Sequence, residues 1–408
     1  TNPQFICCSA TIANPREHIE RLVGLPFEVI HRDGSPHGAR DFVFWNPPVI
    51  DEAKGTRRSV SSEATTIFTE LVRGGIRSLT FARTRKLTEL IYIRAREQLS
   101  QWALEDQIKP YRGGYLAEER REIERQLFEG QLKGVVSTTA LELGVDIGDL
   151  DATVLGGYPG SIASTWQQAG RSGRGYEPAM SFLLAMDNPL DQYLMRHPDF
   201  FFRKSSENAL TDPDNLYILK PHLLCAAWES PLDDGDERLF GPSFAQAREE
   251  LEERGLLRNR NGREYLSPTM PYPAQGVSIR SASTRYYAVI DVSEGNREME
   301  TVEGSIAFSQ LHPGAIYLHQ GQAYMVTELD PVAHVAYVTP TDVPYYTQAR
   351  ELNDLRILGQ SRRKSIGGVN VYLGKVEVTT RVIGFRKKMQ FTEEVIGESP
   401  LDLPPQLF

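Results

Sequence analysis

Two arginines stand three residues apart in QQAGRSGR, positions 167–174. Arginine presents a rigid fork of N–H donors that matches the oxygens of a phosphoryl group. The glycines beside Arg171 and Arg174 let a backbone come close to a ligand. By itself the stretch reads equally well as two surface arginines beside a helix. A second stretch, STTALELGVDIG at 137–148, passes from apolar residues into threonines, then Gly144, then Asp146. Threonine hydroxyls and open N–H groups at a strand end suit phosphate contacts. An aspartate there can accept from a ribose hydroxyl, or act as a local cap. A third stretch, Ser9-Ala10-Thr11, is by itself no more than a helix cap. The three in this order are much harder to obtain by chance than any one of them.

The elements that must carry these residues follow from periodicity. FEVIHRD, DFVFWNPP, IRSLTFA, KGVVSTT, DATVLGG and MSFLLAM are predicted strands, as is QFICC before Ser9. NPREHIERLVGL, SEATTIFTELVRGG, RTRKLTELIYIRAREQL and LAEERREIERQLFEGQ have helical spacing. Alternating strands and helices, with apolar runs in the strands, predict a parallel sheet covered on both faces. Ligands of such a sheet lie at the carboxyl ends of its strands. The second domain is expected from residue 205. NLYILKPHLLCAAWES and SFAQAREELEERGLL are predicted helices, the latter stopped at Gly255. A hairpin follows around Asn261-Gly262. Helix, helix and hairpin is the order of a winged helix. The remainder is rich in short strands, with HQGQ as a hairpin turn, and predicts a small antiparallel barrel or sandwich. The expected domains are therefore 1–204, 205–269 and 270–408, and the proline-broken tail ESPLDLPPQLF reads as a domain edge. No internal repeat is evident.

Composition narrows the classes. The chain has 408 residues, 40% hydrophobic and 24% charged, the balance of an ordinary soluble protein. No apolar run nears the roughly 18–20 residues that span a membrane, and the first residues carry no secretion signal. Cys7, Cys8 and Cys225 include no CxxC, which excludes a cysteine zinc site and a disulfide framework, and a reducing cytoplasm fits best. The net charge of -9 argues against a general polyanion binder. Charge is uneven, however. From Arg350 to Lys388 there are ten Lys/Arg and three Asp/Glu, a local +7 that leaves -16 elsewhere. That segment is either a nucleic-acid face or a solvated surface.

These motifs resemble the second motor domain of a superfamily two helicase. SAT resembles motif III, IRSLTFARTRKLTEL motif IV, YRGGYLAEERREIERQLFEGQLKGVVSTTALELGVDIG motifs IVa to V, and QQAGRSGR motif VI. The core resemblance covers about residues 1–190. TTALELGVDIG, AIYLHQGQAYMVTELD and DVPYYT extend it, to about residue 400, toward the RecQ-four-like helicases of the bacterial mitomycin-repair (MrfA) type.

The resemblance implies that Arg171 and Arg174 act as arginine fingers on the γ-phosphate, and that Gln167 senses that phosphate or its attacking water. Asp146, with Gly144 and Gly170, is implied to meet the nucleotide. Thr138, Arg112, Gly113 and Thr84 are implied to hold the backbone of a single strand. Ser9 and Thr11 are implied to couple hydrolysis to domain movement. ATP and Mg²⁺ would be bound mainly by a first motor domain in cis, because no GxxxxGK[ST] loop occurs here. DEAK at 51–54 follows SAT, whereas the family's acidic box precedes it, so it is not taken as a metal site. The family's four-cysteine zinc module is not expected within these residues, and no other metal site is.

The expected protein is thus the C-terminal part of an ATP-dependent DNA helicase or translocase, moving 3′→5′ in DNA repair and inactive without its other half. Its partner would be single-stranded DNA or DNA with a single-stranded tail. A nucleic-acid-binding module with a vestigial motor, and an RNA helicase, are the alternatives. Of the accessory regions, the winged helix is scaffold, a backbone contact or a reader of bases in a groove, with its acidic AREELEERG helix arguing against groove insertion. Tyr372 and Phe385 are either base-stacking residues or part of a buried strand face, and Trp166 is expected in the core.

Overall fold

The computed structural model describes residues 3–407 apart from 33, 35–37, 54, 149, 174, 278–284 and 391. The chain forms two compact units that interleave in sequence. One, here the helical unit, gathers Thr1–Pro36, Pro159–Gln167 and His197–Thr284; the other, the sheet unit, gathers His37–Tyr158, Gln168–Arg196 and Arg285–Phe408.

The sheet unit is built on β1 (Arg40–Trp45), β4 (Ser78–Ala82), β5 (Ile108–Tyr111), β6 (Gly134–Ser137), β7 (Ala152–Gly156) and β8 (Ala179–Leu184). They are all parallel, in the order β1-β8-β7-β4-β6-β5. Every residue of the central β4 and β7 is buried, as their near-continuous apolar sequences require. Helices α2 (Val60–Arg73) and α3 (Arg85–Leu99) cover one face, where Phe68, Ile91 and Leu99 pack with Val136 and Val154. Helix α4 (Ala117–Phe128) covers the other, where Ile123 and Leu127 meet Leu79 and Val135. Val135 and Val136 thus face opposite layers, the period of two that a strand imposes. Each such fully buried side chain contributes roughly 1.5–3 kcal/mol. The helix starts are encoded locally: Ser59 Oγ accepts from Ser62 N and Thr84 Oγ1 from Leu87 N. A small hairpin, β2 (Val49–Asp51) and β3 (Thr56–Arg57), and α6 (Pro189–Arg196) complete this half.

The helical unit contains α1 (Pro15–Val23), the start of α5 (Ile162–Ala169), α7 (Pro198–Arg203) and a winged-helix arrangement. The last consists of α8 (Leu216–Glu229), α9 (Glu237–Phe240), α10 (Phe244–Glu253), β9 (Leu257–Arg260) and β10 (Arg263–Leu266) around Leu223, Phe244, Leu251 and Leu257. Asn261 and Gly262 turn the hairpin with φ of 54° and 77°, the left-handed pair that a two-residue turn needs.

Residues 285–407 of the sheet unit add β11 (Tyr286–Asp291), β12 (Arg297–Glu303), α11 (Gly304–Gln310), β13 (Ile316–His319), β14 (Gln322–Asp330) and β15 (Val335–Pro340). His319 to Gln322 turn the expected hairpin. The five-stranded sheet β12-β11-β15-β14-β13 is largely antiparallel, with one parallel pair, β11 and β15. Two long strands follow, β16 (Tyr345–Ile366) and β17 (Val369–Met389), then β18 (Val395–Pro400) and β19 (Gln406–Leu407), both paired to β17. The proline-containing tail is therefore stitched to a strand, and Leu401 and Leu403 pack on the domain core.

Two expectations about elements fail. The described residues of FEVIHRD are not a strand, and Ile30 is 89% exposed: alternation gives a strand only where a sheet edge receives it. QFICC likewise lies outside any helix or strand. Conversely IKPY, which is not among the predicted strands, forms β5, its backbone extending the sheet at β6.

Candidate nucleotide and nucleic-acid site

The motif residues of the sheet unit gather at one end of its sheet. Thr84 follows β4, Arg112 and Gly113 follow β5, and Thr138 follows β6, so three adjacent strands deliver them at their carboxyl ends. Thr84 Oγ1 is occupied as the cap of α3. Thr138 N donates to Tyr111 O at 3.3 Å and its Oγ1 accepts from Ala140 N at 3.4 Å, which fixes the turn into motif V. A Cβ on Gly113 would meet only Ala140 Cβ, at 3.9 Å, so the surface there is open. Asp146 is exposed, and its Oδ1 accepts from Gly148 N at 3.2 Å. Gly144 has φ +82° with nothing within 4 Å of an added Cβ. Its positive φ turns the loop back on itself.

Gln168 to Arg171 bind that loop directly. Gln168 Nε2 donates to Glu142 Oε2 at 2.8 Å. Arg171 is 5% exposed. Its Nε and Nη2 donate to Glu142 O at 2.9 and 2.6 Å, and its Nη1 donates to Val145 O at 2.7 Å. The guanidinium expected to face a γ-phosphate instead clamps motif VI to motif V. Backbone carbonyls accept from the same N–H groups that would otherwise meet phosphate oxygens. Gly170 occupies the turn that closes α5. Arg174 lies outside the described residues.

In the helical unit, Thr11 is buried and its Oγ1 accepts from Gln167 Nε2 at 2.6 Å, so the SAT motif touches the first residue of motif VI. Ser9 is exposed, with its Oγ accepting from Thr11 N at 3.4 Å. Helix α5 starts on a residue that sequence reasoning missed. Glu207 accepts from Ile162 N at 2.7 Å and Ala163 N at 3.0 Å, capping the helix N-terminus from 45 residues away. Desolvation opposes its charge, but the two backbone donors prevail and hold the carboxyl below its ordinary value. Nothing local in the sequence announces it. Trp166 packs against Phe201 and Phe202 at 5.3 and 5.9 Å.

Arg112 corrects an expectation. It is 2% exposed and cannot hold a strand backbone. Its Nε lies 3.1 Å from Glu89 Oε1, and its Nη2 lies 3.1 Å from Glu300 Oε2 and donates to Leu318 O at 2.9 Å. Tyr115 Oη donates to Glu89 at 2.5 Å, and Gly321 N donates to the same carboxylate at 2.9 Å. Burial would push Glu300 up, but Arg112 and then His319 hold it below its ordinary value. The cluster joins the parallel sheet to the β-rich part of the same unit. The two carboxylates demand a buried cation, and that demand fixes Arg112. Phe385 is also buried, stacked on His312 at 4.6 Å, and is unavailable to a base. Tyr372 is exposed on β17.

Beside Thr84 a cavity of about 370 Å³ is lined by Arg85, Lys86, Tyr317, Thr347 and Gln348. Burial pushes Lys86 down to about 8, and Lys388 adds like-charge repulsion.

Residues 63–176 match the helicase conserved C-terminal domain, and 211–282 match the winged helix domain of ATP-dependent helicase HRQ1. In these two regions the chain is similar to ATP-dependent helicases. It is 41% identical over 408 residues to the ATP-dependent helicase YprA of Bacillus subtilis (strain 168), covering all of this chain and 54% of that protein. Solved structures of the DUF1998 helicase MrfA bound to DNA, and bound to DNA and AMPPNP, superpose with TM-scores of 0.88 and 0.86 at 40% identity. They cover all of this chain and 54% and 55% of theirs. The chain thus spans about half the length of the helicases it matches.

Proposed function

We propose that this chain supplies the second motor half and accessory domains of an ATP-dependent DNA helicase or translocase that moves 3′→5′ and serves DNA repair. The observation that carries the reading is the Gln167–Thr11 hydrogen bond, which joins motif VI to motif III. Gln167 meets the γ-phosphate or its water, and a change there is passed to Thr11 and Ser9. Arg174 is the finger on the γ-phosphate. Arg171 positions the motif V loop, so that Asp146, Gly144 and Gly170 stay aligned on the nucleotide. Thr138, Gly113 and Thr84 hold the strand backbone, and closure and opening of the motor ratchet it along.

Among the described residues no three or more His, Cys, Asp and Glu side chains gather to hold a metal ion. ATP and Mg²⁺ are assigned mainly to a first motor domain in cis on the ground that this sequence carries no GxxxxGK[ST] loop. Support for DNA comes from relatives solved with DNA bound. The test is ATP turnover by the chain joined to a first motor half, with deoxy- and ribo-oligonucleotides as activators. Stimulation by the ribo-oligonucleotide and not by its deoxy counterpart would favour the RNA helicase reading, since a DNA motor does not depend on 2′-hydroxyls.

A further inference from the structure

The longest elements of the chain have no role in the account above. β16 and β17 pair antiparallel on either side of Gly367-Gly368, and every residue from 350 to 376 is exposed. In an antiparallel pair, residues opposite one another share a face and successive residues alternate. Along β17 the register runs unbroken from Val369 to Val382, while two irregularities in β16, at Leu358 and Ser361, take up the extra residues. The pairing sorts the side chains. One face carries the pairs Leu355–Val378, Ile357–Val376 and Arg363–Tyr372. The other carries Arg356 opposite Glu377, Lys375 opposite Gly359, Arg362 opposite Leu373 and Lys364 opposite Val371.

Four of the ribbon's cations therefore lie on one face, over six steps of β17, or roughly 20 Å at about 3.3 Å per residue. Among the described residues no acidic side chain lies within ion-pair distance of Arg362, Lys364 or Lys375, whereas Arg350, Arg381 and Arg386 nearer the base are paired with Glu398 or Asp402. Unpaired cations in a row along an exposed ribbon complement a polyanion with regular charge spacing. The basic face has no aromatic residue, so it lacks the stacking platform that single strands use. The one exposed aromatic of the distal ribbon, Tyr372, stands on the opposite face beneath Arg363 at 6.0 Å. A two-stranded ribbon is of a size that the major groove of a duplex admits.

We propose that the basic face of this ribbon docks on double-stranded nucleic acid, lying along a groove with Arg356, Arg362, Lys364 and Lys375 on the flanking phosphates. The apolar face turns away from the duplex. Because docking needs no ATP, its failure would leave the motor reading untouched.

The test uses the 408-residue chain, a labelled 20-base-pair DNA duplex and the matching single strand, with anisotropy read across a salt series. In R362Q/K364Q/K375Q, duplex affinity at low salt should fall at least tenfold. The slope of log affinity against log salt should become shallower by about 3, close to one per lost phosphate contact. Single-strand affinity should stay within about twofold. The opposite-face variant L355T/I357T/V376T should change neither. If the triple variant is poorly folded by circular dichroism, R362Q alone should flatten the slope by about 1. An unchanged duplex slope would overturn the proposal. So would an equal loss on the single strand, or an equal loss from the apolar-face variant, which would mark the ribbon as a protein-docking arm.

Discussion

Arg171→Ala separates the clamp from the finger. Three N–H groups of a side chain only 5% exposed bind two carbonyls, Glu142 O and Val145 O. Hydrogen bonds from a charged donor contribute roughly 1.5–3 kcal/mol each. Counting one per carbonyl gives about 3–6 kcal/mol. Water reaching the exposed part of the loop, Leu143 and Gly144, restores some of this, leaving about 2–4 kcal/mol. The loss is local, so the assay is amide hydrogen exchange over residues 139–148. Protection there should fall between about 30-fold and about 800-fold, at about 1.4 kcal/mol per factor of ten. Arg171→Lys keeps the charge but cannot fork across two carbonyls, and should recover less than half of the protection. Protection unchanged within about twofold in Arg171→Ala, together with lost ATP turnover in the joined motor, would refute the clamp and make Arg171 a finger.

Two further outcomes follow from the buried charges. Arg112→Leu leaves Glu89 and Glu300, both 0% exposed, without their cation and should destabilise the sheet unit by about 3–5 kcal/mol; a urea series checks it, with a loss under about 1 kcal/mol as the contrary result. Glu300 and Glu207 are held below the ordinary carboxylate value of 4.5, so their contribution is present above that value and is lost as pH falls through their folded-state values. Urea midpoints should therefore fall between pH 5 and pH 3, and Glu300→Gln should flatten that dependence.

What the sequence revealed was local. The apolar runs of β4 and β7 and the turn at Asn261-Gly262 carry their structure in residue type and period. What it hid depends on distant partners or on the backbone. Arg112 sits in a motif that binds strands in the family, and only Glu89 and Glu300, brought together by folding, reveal it as buried. Arg171 is engaged by carbonyls, which every residue has and no sequence pattern marks. Glu207 caps a helix remote in sequence. The ribbon was legible only as part of a strand-rich region, and alternation does not say whether a strand lies in a barrel or extends beyond it. Its length emerges only from the pairing that runs out to Gly367-Gly368.

The most direct test of the central claim is ATP turnover by this chain joined to a first motor half, with and without single-stranded DNA, for the native sequence and Arg174→Ala. The account predicts strong stimulation by DNA and a loss on the order of 10³–10⁵ in the variant. Turnover indifferent to both DNA and the substitution would contradict it, and would leave the chain a nucleic-acid-binding module with a vestigial motor domain.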